Sequence, residues 1–370
     1  MTNDRDPAGI LDILRDNAAA TEAEGRLAPA SLDALRTAGY FSLAGTADAA
    51  EDPRAVVSIV KQIGAACPAS AWIVALTTAV SGLLPLAPKA AVSAVTDAAG
   101  PVVENFAPGS LRVSDDGFVL NGTWPYSSGS EVATYAMLAA LQTEAGRPPR
   151  MRVAVVPTAD LRVIRTWDVA GLQGTGSHTL VAEDVDVPAD FVFDLPVDPD
   201  VAGLAVLRTT TFTSAALIGM ATGALDVVTA LLSGEKGPTR TRYTSFSDSP
   251  GARALYASAA SRISNAAASV AAVADALAQH PDAHTADALD RLARLELRHS
   301  LVAAVRQARD AVDDLGDLHG SSAFTRSNPL QRYWRDLGVG SRHLGLRGYI
   351  VDEDLGRALV GRDDFAAAIS

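Results

Sequence analysis

Three zones with different residue patterns follow one another along the 370 residues, and their order restricts the fold most strongly. Residues 1–104 repeat apolar side chains at three- and four-residue steps, which predicts helices. Residues 105–203 contain short β-like runs separated by Gly, Pro or Asp. Residues 204–370 are rich in alanine and predict long helices with short links. We therefore expect an α+β protein with an N-terminal α-helical domain, a middle β-barrel domain and a C-terminal four-helix bundle.

Local signals place the first and last elements of this plan. Asp52 is a capping residue and Pro53 suits a first helical turn, so a helix is expected to begin there. Long helices are predicted over residues 213–232, 251–278 and 284–318.

The middle zone predicts a small antiparallel barrel or sandwich. An Asp116-Gly117 turn stands between Val113 and residues 118–120, which is a strong hairpin signal. Further strands are expected over residues 134–143, 151–158, 161–167 and 179–188.

Charge and cysteine content exclude several classes of protein. A net charge of −12 argues against a nucleic-acid partner, which would require a basic face. The single cysteine, Cys67, cannot form a disulfide framework or a thiolate metal cluster within one chain, and its apolar neighbours predict a buried thiol. The charged first residues do not have the pattern of a secretory signal, so we expect a cytoplasmic protein.

One charge-free stretch, residues 62–88, is long enough to cross a bilayer. It contains Pro68 and Pro85, and its strongly apolar part covers only residues 71–84. A buried helix of a large α-domain explains it better, so no membrane partner is expected.

A segment that directly follows the predicted hairpin offers aromatic rings beside hydroxyl groups. Residues 121–131 read NGTWPYSSGSE and contain Trp124, Tyr126, Ser127 and Ser128. Such hydroxyls can bind the edge of a flat heteroaromatic ring while an aromatic side chain packs beside it. A polar loop of the barrel is the alternative explanation of the same residues.

A second segment is rich in glycine. Gly171, Gly174 and Gly176 fall within six residues, and the glycines with Thr175 allow a ligand to approach the backbone closely. The spacing is not GxGxxG between a strand and a helix, so it does not predict a Rossmann dinucleotide site.

The tail of the chain clusters basic residues within 318–346. Arginines could hold a phosphate there, or pair with the surplus of carboxylates. The cluster consists of His319, Arg326, Arg332, Arg335, Arg342 and His343. Elsewhere His280 and His284 are four apart, but the HPDAH segment lacks the Glu of HExxH, so no metal site is expected.

Five segments together resemble the acyl-CoA dehydrogenase-like flavoproteins over nearly the whole chain, and are most similar to the two-component (class D) flavin-dependent monooxygenases. In order they are LAPASLDALRTAGYFSL, CPASAWIVA, NGTWPYSSGSE, WDVAGLQGTGSHTLVAEDVDVP and NPLQRYWRDLGVGSRH.

The resemblance implies a flavin site and a set of partners. Trp124, Tyr126, Ser127 and Ser128 would lie at the flavin, the serines near its pyrimidine edge. Other residues would reach the cofactor, several of them its phosphate tail, namely Gly174, Thr175, Arg240, Arg242, His319, Gly320 and Ser321. Related proteins are tetramers, so a homotetramer or homodimer is expected, with O2, a small-molecule substrate and a separate flavin reductase as partners.

One position separates oxygenation from dehydrogenation. Many acyl-CoA dehydrogenases carry a glutamate base eight residues beyond the Asp of the RD pair, where this chain has Leu344. The monooxygenases carry a histidine seven residues beyond it, and here that residue is His343. The resemblance thus implies catalytic roles for His343, as base or hydrogen-bond donor, and for Ser128. In contrast, Val132 stands where the monooxygenases often have histidine, and SLAGTADAAEDP replaces their usual early glycine motif.

We therefore expect an enzyme that uses reduced FMN or FAD and O2 to hydroxylate or N-oxidise a small aromatic, polyketide or amino-sugar compound. We also expect it to act in secondary metabolism. Two alternatives remain open at this point. One is an acyl-CoA dehydrogenase-type oxidoreductase with tightly bound FAD, and the other is a non-redox member that binds or rearranges a ligand.

Overall fold

The computed structural model describes residues 7–43, 45–46, 49–50, 52–144, 148–195, 199–280, 289–362, 364 and 366. Their contacts form two compact units. The sheet unit comprises residues 1–52, 72–169 and 173–202, and the helical unit comprises residues 53–71, 170–172 and 203–370. The boundaries of the three predicted domains stay a prediction.

The elements follow the predicted order of helices, strands and helices. The helices are α1 Pro7–Asp16, α2 Ala18–Glu24, α3 Pro29–Thr37, α4 Pro53–Ala66, α5 Pro68–Ser81, α6 Lys89–Ala98, α7 Pro199–Leu232, α8 Pro250–Ala278, α9 Arg291–His319, α10 Pro329–Gly340 and α11 Gly348–Leu359. The strands are β1 Gly45–Thr46, β2 Ala49–Ala50, β3 Val102–Ser114, β4 Gly117–Ser127, β5 Tyr135–Gln142, β6 Arg150–Pro157, β7 Arg162–Ile164, β8 His178–Pro188 and β9 Val192–Asp194.

Seven strands form one mixed sheet in the order β7-β8-β4-β3-β5-β6-β9. All neighbours are antiparallel except β3 and β5, which are parallel. The purely antiparallel prediction was wrong for this pair because β4 occupies the other side of β3, and the chain enters β5 in the direction of β3. The hairpin forms as predicted, but Asp115 and Asp116 make its turn and Gly117, with φ +152°, begins β4.

Both faces of the central strand β5 are buried, which explains its continuous apolar run. One face packs Leu138 against Trp124 and Leu180 in the core of the sheet. The other face packs Met137 with Val155 and with side chains from the helical segments 80–95.

The helical unit is built on close packing of long helices. α8 lies along α9, α11 also packs on α9, and α4 packs on α8. α4 meets α7 where two glycines face each other: a Cβ on Gly64 would lie 2.6 Å from the carbonyl oxygen of Ala216 and 3.1 Å from the Cα of Gly219. A helix from the first third of the chain therefore belongs to the bundle.

Two of the predicted long helices have different beginnings. α7 begins at Pro199, well before residue 213. The hydroxyls of Thr209, Thr210 and Thr211 bond to carbonyls four residues back within the helix, so these threonines do not interrupt it. α9 begins at Arg291, since Asp290 accepts the N–H of Ala293 as an N-cap. Residues 284–288 of that prediction lie outside the described residues.

Two helical stretches are apolar and long enough to pass a membrane-span test, and most of each is buried inside the protein. They are Pro68–Leu86, 61% buried, and Val201–Leu232, 56% buried. Core helices pass the same test. Cys67, directly before the first stretch, is 1% exposed as expected, and burial raises the pKa of its thiol.

Candidate active site

The aromatic residue Trp124 in β4 belongs to the core of the sheet. Its ring is fully buried, and Nε1 donates to the carbonyl oxygens of Ala107 at 2.8 Å and Ala139 at 3.2 Å. Gly109 and Gly122 leave the space that the ring fills. The predicted contact of this ring with a cofactor finds no support, because the ring has no open face.

Tyr126, two residues later, has the opposite environment. Its side chain is 74% exposed and its φ is +62°, a value that non-glycine residues rarely adopt. Ser127 is fully buried, donates to the carbonyl of Trp124 at 2.9 Å and accepts from Asn105 Nδ2 at 3.3 Å. Ser127 thus supports the strand end that presents Tyr126.

The structure brings together the two segments that the sequence singled out separately. Ser128 Oγ lies 2.8 Å from Ser177 Oγ, which lies 2.7 Å from Thr175 Oγ1. The backbone N–H of Gly129 also donates to the carbonyl of Thr175 at 2.7 Å. Ser128 is half-buried, so its hydroxyl can reach a ligand while the other two fix its direction. Ser177 was missed because its role depends on this contact across 49 residues.

The glycine-rich turn is needed for packing within the protein. A Cβ on Gly174 would lie 2.5 Å from Thr21 Cγ2, and a Cβ on Gly176 would lie 2.8 Å from the carbonyl of Gly25. Close approach of a ligand is therefore not required to explain the glycine at 174, although its backbone and that of Thr175 stay cofactor-binding predictions.

The RD pair of α10 holds residues 170–172. Asp336 Oδ1 accepts the N–H of Leu172 at 2.5 Å, and the Arg335 guanidinium donates to the carbonyl of Ala170. A Cβ on Gly171 would collide with the backbone of Arg335. This arginine is therefore occupied in packing rather than presented to a phosphate.

His343 caps the short turn Leu344–Leu346, with the N–H of Gly345 3.5 Å from its Nδ1. Burial, and then the charge of Arg347, lower the pKa of His343 to about 4. The imidazole is therefore neutral at pH 7. Because Nδ1 faces an N–H, the proton is assigned to Nε2. Of the two predicted roles, hydrogen-bond donor fits better than base, since a base with so low a pKa accepts protons weakly. Leu344 is 63% exposed.

The residues predicted at the cofactor tail lie in two local segments. Arg240, with φ +60°, and Arg242, which stacks on Tyr243 at 5.5 Å, are exposed in the polar loop after α7. His319 ends α9 and lies 3.1 Å from both Ser322 Oγ and Asn328 Nδ2.

Gly320 follows His319 with φ +79°, and Ser321 begins an exposed turn. The role of these residues at a phosphate stays a prediction.

A charged cluster that sequence reasoning missed lies beside the serine turn. Arg165 Nε and one of its terminal nitrogens donate to the two carboxylate oxygens of Glu131 at 2.8 and 2.9 Å. His178 Nε2 is 3.7 Å from Glu131, and its Nδ1 accepts the N–H of Trp167 at 3.1 Å. Glu131 and Arg165 are 34 residues apart, and no local motif signals such a pair.

The chain is similar in sequence and structure to known proteins over most of its length. The acyl-CoA dehydrogenase C-terminal domain family matches residues 211–347. The chain is 30% identical to the flavin-dependent monooxygenase oxygenase subunit HsaA of Rhodococcus jostii, over 90% of this chain and 92% of that protein. It is 29% identical to the oxygenase component of the FADH2-dependent resorcinol hydroxylase of a Rhizobium species, over 96% of this chain and 93% of that protein.

Among solved structures, XiaF from a Streptomyces species, in complex with FADH2 and glycerol, superposes with a TM-score of 0.87 and 28% identity. The match covers 96% of each chain. The protein therefore belongs to the flavin-dependent monooxygenase oxygenase subunits with the acyl-CoA dehydrogenase-like fold. The predicted enzyme class, a flavin-dependent oxidoreductase, is confirmed with it.

Proposed function

We propose that this chain is the oxygenase component of a two-component system that hydroxylates a small aromatic compound. It would receive reduced flavin from a separate reductase. One oxygen atom of O2 enters the substrate and the other leaves as water, with two electrons supplied by the reduced flavin. The observation that carries the proposal is the Tyr126–Ser128 strand end joined to Thr175 and Ser177, in a chain whose relatives are such oxygenases.

The residues of this strand end fit a flat, polar heterocycle. Tyr126 offers an exposed aromatic ring, and Ser128 offers a hydroxyl held by Ser177. Reduced flavin supplies the activation of O2 when it is bound. We propose that Ser128 orients the pyrimidine edge of the flavin. For His343 we propose a separate role, in which the neutral imidazole donates a hydrogen bond to substrate or oxygen.

FAD is the cofactor we propose to test first. The resorcinol hydroxylase is FADH2-dependent by name, and the XiaF structure contains FADH2. We further propose that the chain works as a homotetramer or homodimer in the cytoplasm.

An anaerobic titration with FADH2 and with FMNH2 tests the proposal directly. We expect the protein to bind reduced FAD and, when oxygen, NADH and a flavin reductase are added, to convert phenols or indoles into hydroxylated products. The yield of product per NADH is compared with the yield of hydrogen peroxide. Failure to bind either reduced flavin, with all oxygen recovered as peroxide, would contradict the proposal.

A further inference from the structure

Tyr126 has an uncommon backbone conformation, and hydrogen bonds to the residues on either side of it stabilise that conformation. Its φ of +62° places it in the left-handed region, where a side chain is strained and needs support from its surroundings. Asn105 Nδ2 donates to the carbonyl of Pro125 at 2.6 Å, and Ser127 Oγ donates to the carbonyl of Trp124 at 2.9 Å. The residues before and after Tyr126 are therefore fixed, and its ring is directed outward.

Trp167 supports the outward ring. The two rings meet edge to face, with centroids 6.1 Å apart and an interplanar angle of 89°. This is a favourable geometry for an aromatic pair. Since Tyr126 is 74% exposed, the position of its ring depends on where Trp167 is held.

His178 holds the backbone of Trp167. The N–H of Trp167 donates to Nδ1 of His178 at 3.1 Å, which requires that this nitrogen carries no proton. The side chain of His178 is buried, and burial lowers its pKa, so the neutral imidazole is favoured. Its proton then lies on Nε2, which faces Glu131 Oε2 at 3.7 Å.

Glu131 pairs with the segment that follows β7 and carries Trp167, and its carboxylate stands 3.7 Å from Nε2 of this histidine. Its side chain is only 16% exposed and forms two hydrogen bonds with Arg165, which stands two residues before Trp167. A planar carboxylate and guanidinium paired in this way fix each other's direction. The neighbouring Thr166 also bonds to Thr179, so the 165–167 segment is held at three successive residues.

We propose that Glu131 is a positioning residue for the flavin reaction. Through its two hydrogen bonds with Arg165 it holds the segment of Trp167, whose backbone His178 also binds, and so keeps Trp167 against Tyr126 and fixes the Tyr126 ring where the flavin binds. The inference rests on the proposed function. In this proposal the carboxylate of Glu131 does not contact the flavin itself. It determines where the Tyr126 ring lies when the flavin binds.

Glu131→Gln tests the inference with almost no change of volume. Glu183→Gln is the matched control, because Glu183 pairs with Arg162 at 2.6 Å on the same sheet but is 71% exposed. We expect Glu131→Gln to weaken binding of reduced FAD about 10- to 100-fold and to increase peroxide release at the expense of product. The control should stay within about twofold of the unchanged protein.

A measurement without flavin follows the ring itself. Protein labelled with 3-fluorotyrosine is examined by 19F NMR, and the Tyr126 resonance is assigned by its loss in Tyr126→Phe. Glu131→Gln should move this resonance toward the value found in Trp167→Leu, whereas Glu183→Gln should leave it in place. Thermal melting of each variant shows whether the fold is retained.

The outcomes separate this inference from the proposed function. If the unchanged protein does not bind reduced flavin, the proposed function fails. If it binds normally and Glu131→Gln behaves like Glu183→Gln in affinity and coupling, Glu131 has no positioning role. If Glu131→Gln weakens flavin binding but leaves the Tyr126 resonance in place, Glu131 does not act by positioning Trp167 against Tyr126.

Discussion

At the residue scale, the environment of His343 determines which chemistry it can perform. A histidine with an ordinary pKa could remove a phenolic proton near neutral pH, but burial lowers the pKa of His343 to about 4. Its proton on Nε2 then makes it a donor in the working pH range. The resemblance names this residue as a candidate, and its role stays a prediction, whereas its protonation state follows from packing that sequence patterns do not record.

The pH dependence of stability should reveal this depressed pKa. Unfolding returns the pKa of His343 to about 6.5, so the unfolded chain binds more protons between pH 6.5 and 4. The contribution of the neutral ring is complete above pH 6.5 and declines as the pH falls toward 4. When the pH falls from 7.5 to 4.5, we expect the free energy of unfolding of the unchanged protein to decrease by about 1–3 kcal/mol more than that of His343→Gln. This range is smaller than the full pKa shift would give, because the ring is partly exposed to solvent. Urea unfolding at both pH values measures the difference, and equal losses would show that the ring titrates normally.

Glu104 in β3 should have the opposite pH dependence. Burial raises the pKa of its carboxyl from 4.5 to about 7, so the folded chain binds the extra proton between these values. Its contribution to stability is greatest below pH 4.5 and is lost as the pH rises through 7. Because the side chain is partly exposed to solvent, we expect Glu104→Gln to stabilise the protein by only about 1–2 kcal/mol at pH 8 and by little at pH 4.5. Urea unfolding measures this, and the exposed Glu183→Gln serves as the control that should show no such dependence.

At the element scale, the crossing of α4 and α7 depends on the absence of two side chains. A Cβ on Gly64 would lie 2.6 Å from a backbone oxygen, which cannot move aside without separating the helices. We expect Gly64→Ala to destabilise the protein by about 1–3 kcal/mol despite the better helix propensity of alanine.

Gly316 in α9 is the matched control, because nothing lies within 4 Å of its Cβ position. Gly316→Ala should be stabilising by about 0.5–1 kcal/mol. Thermal melting of both variants tests the crossing, and a stable Gly64→Ala would contradict it.

The elements that could be predicted from the sequence are those with strong local signals. The hairpin at Asp115 and Asp116 follows from its turn residues, and β5 follows from its apolar run. The parallel pairing of β3 with β5, and the membership of α4 in the helical unit, depend on contacts between residues far apart in the chain. At the candidate site, the motif names Tyr126, and its role at a flavin stays a prediction. Trp124 stands in the same motif, but only its packing shows that it is a core residue.

At the scale of the whole molecule, exposed apolar side chains concentrate near the end of the described chain. Leu344, Tyr349, Leu359 and Val360 are each between 63% and 73% exposed. A contiguous exposed apolar patch on a protein surface marks an interaction site more often than isolated exposed side chains do. In the proposed self-association, we expect a second copy to cover these side chains.

A charge placed on this surface should break the assembly without unfolding the chain. We expect the unchanged protein to have the mass of a dimer or tetramer, and Tyr349→Asp or Val360→Asp to shift it toward the monomer of 38.2 kDa. A buried unpaired carboxylate in an interface is unfavourable by several kcal/mol, which corresponds to a more than hundredfold weaker association at about 1.4 kcal/mol per factor of ten. Light scattering after size exclusion measures the mass across a range of concentrations.

Val113→Asp, at a residue 51% exposed in β3, is the control for added charge. If Tyr349→Asp, Val360→Asp and Val113→Asp all keep the mass of the unchanged protein, the interface lies elsewhere on the chain. Loss of flavin binding together with the assembly would show that a neighbouring copy completes the cofactor site.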